Sequence, residues 1–161
     1  DAWIYTGGPD RRDRAIQVIV DAAPDILALQ EAEPNQVADL TNAPLLTAYG
    51  HYGAGRDDGA SAGQHENIFY LTNRFTRTDQ GVFWLSFTPD TPNSRYPGAA
   101  QVRIAVWAKL LDVESEQTYF AISTHRHYAN SPASHRGTGV PPLYRVPLRL
   151  GGRSTLAPVP D

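Results

Sequence analysis

The chain has 161 residues and a formal net charge of −3, with 41% apolar and 19% charged residues. That is the make-up of one ordinary globular domain, or part of a larger one. It lacks the basic excess of a duplex-binding module. Cysteine is absent, which excludes disulfides, thiolate nucleophiles and cysteine zinc sites. No stretch approaches the roughly 18–20 apolar residues of a membrane span. No charged-then-apolar signal segment opens the chain, and the compartment stays open because absence of cysteine fits oxidising and reducing locations alike. Methionine is also absent, and the abrupt start "DAWIY" reads as the middle of something.

Ile16, Ile19, Val20 and Ala23 fall at helical spacing and predict a helix from about Arg11 to Ala23, with Asp10 as N-cap and Pro24 as its stop. "DILALQ", 25–30, has the length and apolar content of a strand buried on both faces. Pro34 suits the first turn of a second helix reaching about Leu40. The pattern then changes. The runs 66–72, 81–87, 103–112 and 118–124 are rich in aromatic and β-branched residues and read as strands. Between the second and third of these, residues 88–101 hold three prolines and a glycine, hence a long loop. "ESEQ", 114–117, reads as a hairpin turn. Trp84 and Trp107 read as core. Beyond about residue 130 the chain is crowded with Pro, Gly, Ser and Arg and has no period, as expected of an irregular tail or of sequence foreign to the domain. Helix, strand, helix and then a succession of strands predicts an α+β or α/β sandwich with helices outside a largely β core.

A few residues stand where chemistry is commonly placed. Glu31 ends the strand 25–30, where a carboxylate can hold a hard cation such as Mg²⁺; the plainer account is a solvated Glu opening a loop. His125 ends the strand 118–124, and His127 follows on the same side of an extended chain. An imidazole with a pKa of about 6.5 can give or take a proton near neutrality, although two strand-end histidines facing water would look the same. Arg103 opens a strand after the long loop, where a planar guanidinium suits a pair of phosphate oxygens or a simple ion pair. Arg56, Asp57 and Asp58 lie on a glycine-bounded turn, either a surface salt bridge or the rim of a site.

Four ordered blocks bring these residues together: "PDILALQEAEPNQVADL", "GAGRDDGASAGQHENIFY", "GVFWLSFTPDTPNSRYPGAAQVRIAVWAKLLD" and "YFAISTHRHY". In combination and order they resemble the endonuclease/exonuclease/phosphatase superfamily, most closely its bacterial metal-dependent hydrolases, over about Arg11 to Tyr128. The resemblance implies a DNase I-like, four-layer α/β/β/α sandwich of two mixed sheets. It implies hydrolysis of phosphoesters assisted by Mg²⁺ or Mn²⁺. It places a metal ligand on Glu31, a phosphate-contacting histidine on His125, a phosphate contact on Arg103 and a shaper of the site rim on Arg56, with Gln30, Gln64 and His127 as supporting side chains. The substrate would be a phosphate ester: nucleic acid, a phospholipid head group or a small phosphoester. No partner chain is evident.

The departures are specific. "DAWIYTGG" lacks the asparagine of the family's N-terminal strand. The family's "G-E" reads Gly63-Gln64. The "N-T-H-x-D-H" run reads Ser123, Thr124, His125, Arg126, His127 and Tyr128. No "G-D-x-N" and no final "D-H" occurs in 129–161. The expectation is therefore the first part of such a domain in residues 1–128, with an irregular tail in 129–161 outside its core. Missing sheet partners should leave open strand edges and exposed apolar surface. The chemistry should be incomplete and turnover weak or absent. The alternative is a non-catalytic phosphate-binding or interaction module that kept the fold. A carbohydrate-binding β-sandwich fits less well, since such folds rarely begin helix–strand–"QE".

Overall fold

The computed structural model describes residues 11–125. The elements run α1 (Arg11–Ala22), β1 (Ile26–Ala32), α2 (Pro34–Thr41), a single 3₁₀ turn (Pro44–Leu46), β2 (Tyr49–Gly55), β3 (His65–Leu71), β4 (Phe75–Trp84), β5 (Ile104–Asp112) and β6 (Thr118–Thr124). They form two three-stranded sheets, ordered β1-β3-β2 and β4-β5-β6, and all four pairings are antiparallel. The expected N-cap Asp10, His127 and the tail 129–161 lie outside the described residues.

β3 explains the architecture. It is the central strand of the first sheet, and His65 to Tyr70 are all buried. Alternation sends Ile68 and Tyr70 toward the second sheet, where they meet Phe75, Trp84, Ile104, Val106, Ala108 and Leu110. Phe69 points the other way, into a cluster with Ile19, Leu40, Ala43 and Leu46 under the helices. The two apolar faces of one strand thus bind three layers. Each large side chain buried there contributes roughly 1.5–3 kcal/mol.

The helices follow local rules. In α2, Pro34 occupies the first turn, and Glu33 and Gln36 bond each other's backbone in a capping box. α1 stops where Ala23 takes a positive φ of 42° ahead of Pro24. At the far end of the sandwich Arg74 ties the sheets together, bonding Asp25 before β1 and the buried Asp112 at the end of β5, the latter at 3.2 Å.

Several boundaries differ from the expectation. β2 was not expected: "YGHYGAG" carries three glycines, which lowers strand propensity, but full pairing along β3 from Tyr49↔Leu71 to Gly55↔His65 overrides it. The strand expected at 81–87 is the end of a longer one, β4, which begins at Phe75 and stops at Trp84. β1 is not buried on both faces: among the described residues it is an edge strand, and only Ala32 is buried. Trp84 is core, but Trp107 is only partly buried, on the far face of the second sheet against Phe120. Both helices pack on the first sheet, and on the outer face of the second Ile122 is 53% exposed.

Candidate phosphate and metal site

One end of the sandwich gathers the end of β1, the turn between β2 and β3, the end of β4, the start of β5 and the end of β6. The register makes this necessary, because Ala32 and Gly55 both pair with His65, while Trp84 and Thr124 flank the first residues of β5.

Glu31 reaches this mouth through a β-bulge. Leu29 pairs with Asn67 and Ala32 with His65, so Gln30 and Glu31 together face the single residue Glu66. Glu31 takes a positive φ of 55°. Regular alternation would turn Gln30 inward and Glu31 outward, toward the helices. The extra residue lets both reach the second sheet. Gln30 Nε2 donates to Ser123 Oγ at 3.2 Å, and Arg103 Nη1 donates to Glu31 Oε1 at 2.8 Å. His125 Nδ1 lies 2.7 Å from the same oxygen, an ion-pair distance without aligned hydrogen-bond geometry. Glu31, Arg103 and His125 therefore share one point. The Glu31 side chain remains 41% exposed and that of Arg103 only 13%. The Arg103 Nε is buried without a hydrogen-bond partner.

Sequence reasoning missed the second carboxylate, Glu66. It is 5% exposed, accepts from Ser123 Oγ at 3.0 Å and stands opposite Gln30 and Glu31 in the bulge. Ser123 Oγ also lies 3.1 Å from the Leu29 carbonyl. A hydroxyl has one hydrogen and serves only one of these acceptors at a time. A proton on Glu66 resolves the conflict, because the carboxyl then donates to Ser123 and frees its hydrogen for Leu29. Burial pushes the Glu66 pKa up to about 7, against the opposing pull of Ser123, the Glu31 N–H and Arg103. The hydrogen bond from Arg103 holds Glu31 below the usual carboxylate range, with His125 adding to it. Two adjacent carboxylates are thus pushed apart in acidity. The signal in the sequence was period two: in "HENIFY" Glu66 shares a face with Ile68 and Tyr70.

The "GRDDG" turn forms the next part of the rim. Asp58 Oδ1 accepts the N–H groups of Ala60 and Ala62 at 2.8 and 2.9 Å, so this carboxylate builds the turn. At Gly63, with φ +82°, a Cβ would lie 2.6 Å from the Asp57 carboxylate. Arg56 is not part of the Glu31 contact. Its Nη1 donates to Gln64 Oε1 at 2.8 Å, and Gln64 Nε2 donates to Glu33 Oε1 at 3.0 Å. The amide at 64 therefore bridges a guanidinium and the cap of α2. The Arg56 carbonyl accepts from Trp84 Nε1 at 2.8 Å, tying this turn to the end of β4.

Among the described residues no three His, Asp or Glu side chains converge as a ready-made metal cage. The donor chemistry still suits a hard cation. Both contacts of Glu31 fall on Oε1, which leaves Oε2 clear of them. Mg²⁺ commonly takes one or two carboxylates and fills its shell with water and substrate phosphate.

Two antiparallel sheets packed face to face, with carboxylate, guanidinium and imidazole meeting at one mouth, form an α+β sandwich of the DNase I-like kind. The chain belongs to the endonuclease/exonuclease/phosphatase family, whose model matches residues 5–151. A Bacteroides vulgatus endonuclease/exonuclease/phosphatase superposes with a TM-score of 0.70 at 37% identity, over 74% of this chain and 45% of its own. Bacteroides thetaiotaomicron mannosyl-6-phosphatase Bt3783 superposes with a TM-score of 0.69 at 31% identity, over 75% of this chain and 44% of its own. The uncharacterized protein R895 of Acanthamoeba polyphaga mimivirus is 29% identical over 141 residues, 20% of its length. The chain thus spans less than half the length of these relatives. No helix among the described residues is long and apolar enough to cross a membrane.

Proposed function

We propose that this chain carries part of the active site of a divalent-metal-dependent phosphoester hydrolase. The observation that carries this reading is the meeting of Glu31, Arg103 and His125 at one oxygen, at 2.8 and 2.7 Å. Glu31 would hold Mg²⁺ or Mn²⁺. Such an ion, when bound, polarises the phosphoryl group and stabilises the leaving oxygen. Arg103 donates to non-bridging phosphate oxygens; its largely buried guanidinium already has one N–H without a partner. His125 supplies a second donor where negative charge develops. Arg56, Gln64 and Gln30 hold the surrounding turns. A small phosphate ester is favoured over long nucleic acid by the net charge of −3 and by the likeness to a mannosyl-6-phosphatase.

Release of nitrophenol from bis(4-nitrophenyl) phosphate with and without Mg²⁺ tests this, alongside ³¹P NMR titration with inorganic phosphate. Turnover is expected to be low. Glu31→Gln and His125→Ala should each reduce the Mg²⁺-dependent part by about a hundredfold or more. Release indifferent to both substitutions, or to EDTA, refutes the assignment. A second reading, a phosphate-binding module without catalysis, draws on the absence of a third converging ligand among the described residues. Phosphate binding that needs Arg103 without any Mg²⁺-dependent release would select it.

A further inference from the structure

The loop after β4 carries two rings that no core claims. Phe87 is 70% exposed and Tyr96 37%. Their centroids lie 4.8 Å apart at an interplanar angle of 47°. An aromatic side chain left this open gives up the burial that normally stabilises it. The segment beneath them is not slack. Ser86 Oγ and Ser94 Oγ share a hydrogen bond at 2.7 Å, Thr88 N donates to Ser86 Oγ at 3.0 Å, and Ser94 Oγ donates to the Thr88 carbonyl at 2.9 Å. Thr91 N closes a turn on the Thr88 carbonyl at 3.0 Å. The pair is presented on a braced support.

Its position matters. Leu85 N donates to the Arg103 carbonyl at 2.8 Å. Phe87 follows two residues later, so its Cα lies within about 7 Å of that of Leu85. On the other flank Trp84, one residue before Leu85, bonds the Arg56 carbonyl and packs where a Cβ on Gly59 would stand, 2.6 Å from the indole. The loop that carries the exposed rings therefore leaves β4 at the mouth where Arg103 and Arg56 lie.

We propose that Phe87 and Tyr96 form a stacking platform for the alcohol portion of the substrate, and that the chain prefers phosphate esters whose alcohol carries a ring. This rests on the reading of Arg103 and His125 as the phosphate contacts. The phosphate is held by those two groups, and the ring of a sugar or a nucleoside lies on Phe87. Stacking on an aromatic face tolerates ring identity, because it reads a face and not a donor pattern. Ring-free esters gain nothing from it.

The test is ligand titration of the intact chain in Mg²⁺ buffer, followed by NMR, with inorganic phosphate, glycerol 3-phosphate, glucose 6-phosphate and AMP as probes. The two ring-bearing esters should bind about fivefold or more tighter than glycerol 3-phosphate. Phe87→Ala and Tyr96→Ala should bring that ratio toward one, and Phe87→Trp should restore it. A structural role for Phe87 would lower all four affinities together and leave the ratio standing, which overturns the proposal. Glucose 6-phosphate ahead of AMP assigns a sugar, and the reverse a nucleoside; either supports the platform. Phosphate binding that depends on Arg103, with no preference for ring-bearing esters, overturns the platform alone. Failure of every probe, inorganic phosphate included, overturns both readings.

Discussion

Glu66 makes the stability of this chain fall as pH rises through the weakly acidic range. The residue is 5% exposed and burial raises its pKa from 4.5 to about 7. In the unfolded chain the same group ionises near 4.5. Between those values the folded state binds the proton and the unfolded state does not, so folding is progressively disfavoured with rising pH. The contribution is complete below about pH 4.5, declines from there to pH 7, and is flat above. A displacement from 4.5 to about 7 corresponds to about 3 kcal/mol. The charges facing Glu66 are Arg103, which favours ionisation, and Glu31, which opposes it. Urea unfolding at pH 5, 6, 7 and 8, with EDTA to keep cations out, measures the slope. Glu66→Gln keeps the shape and cannot ionise, so its profile should lack this component and gain on the parent by up to about 3 kcal/mol at pH 8. Parallel profiles for parent and variant would refute the reasoning.

Ile68→Ala empties a fully buried position between the sheets and should cost about 2–5 kcal/mol in urea unfolding. Gly53→Ala places a Cβ 2.1 Å from the Oδ1 of the fully buried Asn67, which accepts from His51, and 2.9 Å from the Glu66 carbonyl; a loss of about 1–3 kcal/mol is expected, read as a lower thermal midpoint. On the far face of the second sheet, Ile122 is 53% exposed beside the partly buried Trp107 and Phe120. The parent should bind a hydrophobic dye there, and Ile122→Lys should reduce that fluorescence while changing stability by no more than about 0.5 kcal/mol.

Most of the layer order was legible in the sequence because apolar periodicity is a strong signal where burial is one-sided or complete. α1 shows its stripe at Ile16, Ile19 and Val20, and β5 alternates Ile104, Val106, Ala108 and Leu110 toward the core. β2 was not legible, since Gly50, Gly53 and Gly55 carry no side chain to report a face. They are glycines because neighbours come close: a Cβ on Gly50 would lie 2.6 Å from the Tyr70 ring, and one on Gly55 2.2 Å from the Ala62 carbonyl oxygen. Those constraints are tertiary. Glu31 and His125 could be singled out as strand-end residues, but nothing local announces the bulge that turns Glu31 toward the second sheet.

That bulge links the two carboxylates. A non-glycine residue at a φ of 55° is uncommon and costs of order 1 kcal/mol or more, so its surroundings must hold it there. Glu66 stands opposite it in the bulge, where the Glu31 N–H favours the Glu66 anion, and Ser123 ties Glu66 to the Leu29 carbonyl one sheet away. The strained residue presents its carboxylate to Arg103 and His125, while the buried one stays behind it and keeps its proton to about pH 7. An ion at Glu31 would meet a single fixed negative charge backed by a neutral acid below that pH, and two adjacent charges above it. Substitution of Ser123 should therefore disturb the exposed contact of Glu31 with Arg103 although Ser123 touches neither side chain, a coupling that a double-mutant cycle between Ser123→Ala and Arg103→Ala can measure as departure from additivity.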